Sequence, residues 1–149
     1  MAKPLVLTWI VRWVCVLSMV VVVSGCDNIK TVDDDIKLIN TTAKLQERLA
    51  NSSRKVMLID VRKESDFNAG HIPGAINIPV ADLYRGDLRL SEARDIVVYS
   101  QGWVYQRPDR LSWAAATKLL TLGYKNVYDY RGGLTLWEAD GQTVTTVKP

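Results

Sequence analysis

The chain has 149 residues, of which 48% are hydrophobic and 23% charged, with two cysteines and one histidine. That length suits one compact domain, and the charged fraction argues against a largely disordered chain. Two cysteines exclude a disulfide-dense miniprotein and a four-cysteine zinc site, and one histidine excludes multi-histidine metal centres. Lys3 and Arg12 are the only charges before residue 26, and without them 17 basic and 16 acidic residues leave a net +1. No electrostatic case for nucleic acid follows.

Residues 1–12 hold those two cations and no acid, and residues 13–23 are an uncharged apolar run. Small residues then lead to Cys26. This is the pattern of an export signal. A spanning helix drawn from Leu5 would carry Arg12 into the bilayer, at about 2.5–3.5 kcal/mol on insertion scales. Val23-Ser24-Gly25-Cys26 resembles the lipobox of bacterial lipoproteins. The resemblance implies a signal peptide over 1–25, diacylglycerol on Cys26, and a lipidated tether over 26–35. The alternative is a plain signal cut nearby. Asp27 resembles an inner-membrane retention signal, and that resemblance implies the periplasmic face of the inner membrane. Cys15 leaves with the signal, so acylation of Cys26 leaves no free thiol.

The acidic run Asp33-Asp34-Asp35 reads as solvated tether, with no histidine or cysteine nearby to suggest a metal. Ile36–Ile39 is a candidate strand. Asn40 or Thr41 can cap a helix in which Leu45 and Leu49 share a face. Val56-Met57-Leu58-Ile59 and Ile96-Val97-Val98-Tyr99 are compact apolar runs, as in buried parallel strands. Ile76–Ile78 is a shorter candidate, closed by Pro79. Residues 110–122 place Leu111, Ala114, Ala115, Leu119 and Leu122 at helical spacing, and Gly123 supplies a stop. Val127–Tyr130 is a strand, and Leu134–Ala139 a last helix. Strands alternating with helices predict an α/β domain over 36–142, with a mostly parallel central sheet flanked by helices and a tail at 143–149. In such sheets the crevice lies at the strand C-terminal ends, after Ile59 and after Tyr99.

Three blocks carry a resemblance. The first is Leu58-Ile59-Asp60-Val61-Arg62, Phe67 and Gly70-His71-Ile72-Pro73-Gly74-Ala75-Ile76-Asn77-Ile78-Pro79. The second is Val97-Val98-Tyr99 with a loop and an alanine-rich helix. The third is Leu122-Gly123-Tyr124, Val127-Tyr128, Gly132-Gly133, Trp137 and Gly141. Together they resemble the rhodanese-like domains of the sulfurtransferase superfamily. The resemblance implies a cysteine after the strand Ile96–Tyr99, carrying a persulfide in a cradle of backbone N–H groups. Here Ser100 stands at that position. A serine hydroxyl lacks the thiolate's nucleophilicity at neutral pH and cannot hold a transferable sulfur. The loop from Ser100 to Arg110 is also several residues longer than the family's.

Each candidate residue has a functional and a plain reading. Ser100 as a hydrolase nucleophile for phosphate or sulfate esters needs a base. The one histidine, His71, sits in a context that the resemblance makes structural. Asp60 and Arg62 are either a polar pocket wall or an internal ion pair. Gln101, Gly102, Arg107 and Arg110 are candidates for holding a small oxyanion at a helix start. Against that, Asp109 can cap the same helix with its own carboxylate. Trp103 and Tyr105 can contact a partner or fold back over the loop. Trp113 and Trp137 read as core. The expected function is a membrane-anchored, non-catalytic binding or docking module whose long loop meets a periplasmic protein. The alternative is a sulfane-sulfur sulfurtransferase. No cofactor is expected.

Overall fold

A computed structural model describes residues 35–53, 55–86, 90, 94–104 and 107–147. Cys26, Asp27 and Tyr105 lie outside the described residues. Strand β1 (Lys37–Ile39) leads to helix α1 (Thr42–Asn51), then β2 (Val56–Asp60), α2 (Glu64–Ala69) and β3 (Ile76–Asn77). After α3 (Val80–Arg85) come β4 (Asp95–Tyr99), the short pair β5 (Trp103–Val104) and β6 (Arg107–Pro108), α4 (Leu111–Thr121), β7 (Val127–Tyr130) and α5 (Gly133–Ala139). Five strands form one sheet in the order β1-β7-β4-β2-β3, all parallel. The fold class is α/β, as the strand and helix alternation predicts.

Strand β4 is central and wholly buried, so both its faces read apolar. Its side chains divide between two cores by the twofold alternation of a strand. Ile96 and Val98 meet Ala115, Ala116 and Leu119 of α4 and Leu83 of α3. Val97 and Tyr99 meet Leu45 of α1 and Leu134 and Trp137 of α5. Helices therefore cover both faces of the sheet. Trp137 is buried, as expected, and its Nε1 donates to the Thr143 carbonyl at 2.8 Å. Trp113 is partly buried against the α4-side core.

Thr41 caps α1, its hydroxyl accepting from the Lys44 amide at 3.3 Å. The shared apolar face holds only in part. Leu45 is fully buried, an arrangement worth about 1.5–3 kcal/mol, whereas Leu49 one turn later is exposed. Leu111 and Leu122, at the two ends of α4, are exposed as well. Gly123, at φ +96°, ends α4 where expected.

His71 is tied into the frame. Its ring stacks on Phe67 with centroids 3.8 Å apart, and its Nδ1 lies 2.9 Å from the Phe67 carbonyl. Its backbone pairs with Thr145 through two hydrogen bonds of 2.9 Å. Three elements carry no clear sequence signal: α2, α3 and the β5–β6 ribbon.

Candidate functional site

The parallel register sets Asp60, the last residue of β2, beside Tyr99, the last of β4. The two following loops thus leave the sheet side by side at its C-terminal edge. Asp60 is fully buried and Arg62 nearly so. Arg62 folds back onto Asp60, with Nη2 at 2.7 Å from Oδ2 and Nε at 3.0 Å from Oδ1. Its Nη2 also donates to the Gly70 carbonyl, and its Nη1 donates to Gln101 Oε1 at 3.0 Å. One guanidinium therefore joins three segments: the β2 loop, the end of α2 and the β4 loop. Burial works against its charge, but the hydrogen bond and charge of Asp60 outweigh that and raise its pKa. Tyr99 carries its hydroxyl to the Ile72 amide at 3.0 Å. Burial first, then the charge of Asp60, pushes that hydroxyl's pKa up.

Ser100 opens the second loop and is fully buried. Its carbonyl accepts from the Leu134 amide at 3.0 Å, and that of Gln101 accepts from Thr135 at 2.9 Å. Gly102 is buried at φ +86° against the backbone of Gly132 and Gly133. The chain then passes through the antiparallel β5–β6 ribbon to reach Asp109. The Asp109 carboxylate accepts from the Gln101 amide at 3.1 Å and from the Leu111 amide at 2.8 Å. Two N–H groups from opposite ends of the loop thus converge on one anion that the chain itself supplies. The Gln101 side chain completes the closure, its Nε2 donating to Thr135 Oγ1 at 3.1 Å.

Three buried side-chain oxygens, Ser100 Oγ and both carboxylate oxygens of Asp129, lack a hydrogen bond among the described residues. Arg131 Nε comes within 3.6 Å of Asp129 Oδ2. Burial raises the Asp129 pKa; Ser112 and Arg131 oppose the shift, and the charge of Asp109 adds to it. The folded chain therefore retains a proton that the unfolded chain releases above its ordinary value of 3.8. Stability from this group is full below that value and falls as pH rises through the interval up to the raised folded pKa. Asp129→Asn is expected to stabilise the fold at neutral pH, because the amide has no charge to desolvate. The gain should vanish in acid below the unfolded value. Urea unfolding at both pH values checks this, and an equal gain at both would contradict it.

The rhodanese-like domain family matches residues 41–140. The chain belongs to this family. A sulfurtransferase of Allochromatium vinosum is 32% identical over 100 residues, covering 65% of this chain and 84% of that one. An HTH-type transcriptional regulator of Mycobacterium tuberculosis is 42% identical over 82 residues, 55% of this chain and 34% of the regulator. The chain thus spans about a third of that regulator's length. The crystal structure of the Alr3790 protein of Anabaena superposes with a TM-score of 0.60 at 33% identity, covering 70% of this chain and 78% of that one.

Within this rhodanese-like domain, Arg62 brings Asp60 and Gln101 together. Asp60 and Arg62 form the internal ion pair of the plain reading, since Arg62 spends its donors on protein acceptors. Gly102 packs against backbone. Asp109 takes the N–H groups that the oxyanion reading assigned to a ligand. Arg110 is exposed at the start of α4, with its carbonyl accepting from Ala114. Trp103 and Arg107 lie on the β5–β6 ribbon. Two residues were missed, Thr135 and Asp129. Asp129 did carry a signal, as an acid inside the apolar run Val127–Tyr130. No group of three or more metal-ligating side chains occurs among the described residues.

Proposed function

We propose that this rhodanese-like protein performs no cysteine-persulfide transfer and acts as a binding or docking module, held by a lipid on Cys26 at the periplasmic face of a bacterial inner membrane. One observation carries the reading. Ser100 is the residue that follows β4, it is fully buried, and the sequence has no cysteine after Cys26. A hydroxyl there supplies neither the nucleophile nor the sulfur carrier that the family's chemistry needs. The Asp109 carboxylate supports the same reading, because it already takes N–H groups from both ends of the loop. The excursion through β5 and β6 makes Trp103 and Tyr105 the proposed contact residues. Val23-Ser24-Gly25-Cys26 supports the anchor. No described helix is long and apolar enough to cross a membrane.

A second reading is favoured by the relatives named as sulfurtransferases: an enzyme moving sulfane sulfur from thiosulfate. One assay separates the two. Thiosulfate-to-cyanide transfer is measured for the full chain and for Ser100→Cys. The expected result is no transfer by the unmodified chain. Transfer above the uncatalysed background would overturn the non-catalytic reading. Gain of transfer in Ser100→Cys would locate the loss at the nucleophile alone. An inactive variant would place the loss in the Asp109-closed loop as well.

A further inference from the structure

A cavity of about 360 Å³ lies at the C-terminal edge of the sheet, lined by Asn40, Arg131, Gly132, Thr135, Leu136 and Ala139. It is built where β1 and β7 end together. Ile39 pairs with Tyr130, and the Arg131 amide donates to the Ile39 carbonyl at 3.3 Å, so Asn40 and Arg131 leave the sheet side by side. The far wall is one face of α5 and its lead-in, because positions 132, 135, 136 and 139 follow helical spacing. The opposite face of α5 sends Leu134 and Trp137 into the core. Gly132 lets the wall form, since a Cβ there would lie 2.4 Å from a Leu136 methyl.

The chemistry of the cavity is two-sided. Arg131 is braced from two directions: its Nε edge faces Asp129 at 3.6 Å, and its guanidinium lies 5.0 Å from the centre of the Trp113 ring. A guanidinium is a planar fork with a second edge, Nη1 and Nη2. Among the described residues that edge has no hydrogen-bond partner, and it is the edge that suits a bidentate carboxylate. Thr135 Oγ1 accepts from Gln101, which leaves its own proton to donate. The Asn40 amide adds a further donor at the rim. Leu136 and Ala139 offer only carbon. The volume falls within the range of small-molecule pockets, which combine an apolar wall with a few placed polar groups.

We propose that this cavity binds a small organic carboxylate with an apolar body, the carboxylate on Arg131 and the body on Leu136 and Ala139. Ser100 does not line this cavity, and the proposal does not depend on whether sulfur transfer occurs.

The test is ligand-observed NMR titration of the full chain with 3-phenylpropionate, beside 3-phenylpropanol and inorganic sulfate. Saturable binding of 3-phenylpropionate is expected. The alcohol should bind at least about tenfold more weakly, as should 3-phenylpropionate to Arg131→Gln, each having lost a charge-assisted pair. Ala139→Phe keeps the arginine and fills the cavity, so it should abolish binding while leaving the circular dichroism spectrum unchanged. Three results would each overturn the proposal. The first is no saturable binding of 3-phenylpropionate to the unmodified chain. The second is binding undiminished in a folded Ala139→Phe. The third is sulfate binding as tightly as 3-phenylpropionate, which would make the site one for simple anions.

Discussion

Arg62→Met is expected to destabilise the fold by about 3–5 kcal/mol, because it leaves Asp60 as a buried charge without its counter-ion. Few single substitutions in this chain should cost more. The variant also frees the Gly70 carbonyl and Gln101 Oε1, two acceptors that no other described donor serves. Urea unfolding measures the loss. A double variant, Asp60→Asn with Arg62→Met, discriminates the cause. If the uncompensated carboxylate dominates, the double variant is more stable than Arg62→Met alone, since the buried charge has gone with its partner. Simple additivity of the two losses would show that packing, and not charge, sets the cost.

The ion pair is also one part of a frame that holds the loop independently of Ser100. Arg62 reaches Gln101, Gln101 reaches Thr135, and Asp109 bridges Gln101 to Leu111. None of these contacts passes through the side chain of Ser100. The loop is therefore held by groups that do not react, and Ser100→Cys is a fair probe of it because the frame does not depend on the hydroxyl.

The sheet was legible because its strands are short, apolar and punctuated. Val56–Ile59 and Ile96–Tyr99 have lengths and compositions that suit buried parallel strands. Helix α4 was legible from its spacing and from Gly123. The ribbon β5–β6 was not, since two-residue strands leave no periodicity to read. Helix α2 has no buried residue, so no apolar stripe marks it. Within the site, Asp60 and Arg62 were found because both stand beside a buried strand. The role of Thr135 was not legible, because it comes from the contact between α5 and the β4 loop, far apart in sequence. Asp109 stood as a cap in competition with a ligand, and only the fold shows that one of its oxygens reaches back to Gln101.

The close approach of two glycine segments yields the other large effect. Gly102→Ala should destabilise the chain by more than about 4 kcal/mol, beyond the usual range for a point substitution. Two costs combine there. At φ +86° an L-residue is strained by about 1–2 kcal/mol. Its Cβ would also lie 1.9 Å from the Gly132 carbonyl oxygen, an atom of backbone that cannot rotate away. Gly123→Ala separates the two. Gly123 has a similar φ of +96° and nothing within 4 Å of the added carbon, so it should show the strain alone. The difference between the variants, read from urea midpoints at a common slope, isolates the clash. Relief of the clash requires the β4 loop to lift from α5, breaking the hydrogen bonds from Leu134 and Thr135 to Ser100 and Gln101. Amide hydrogen exchange at Leu134 and Thr135 should then accelerate in Gly102→Ala and stay unchanged in Gly123→Ala. Equal losses of stability in the two variants would mean that the loop yields without cost, and that the glycine contact does not set the position of Ser100.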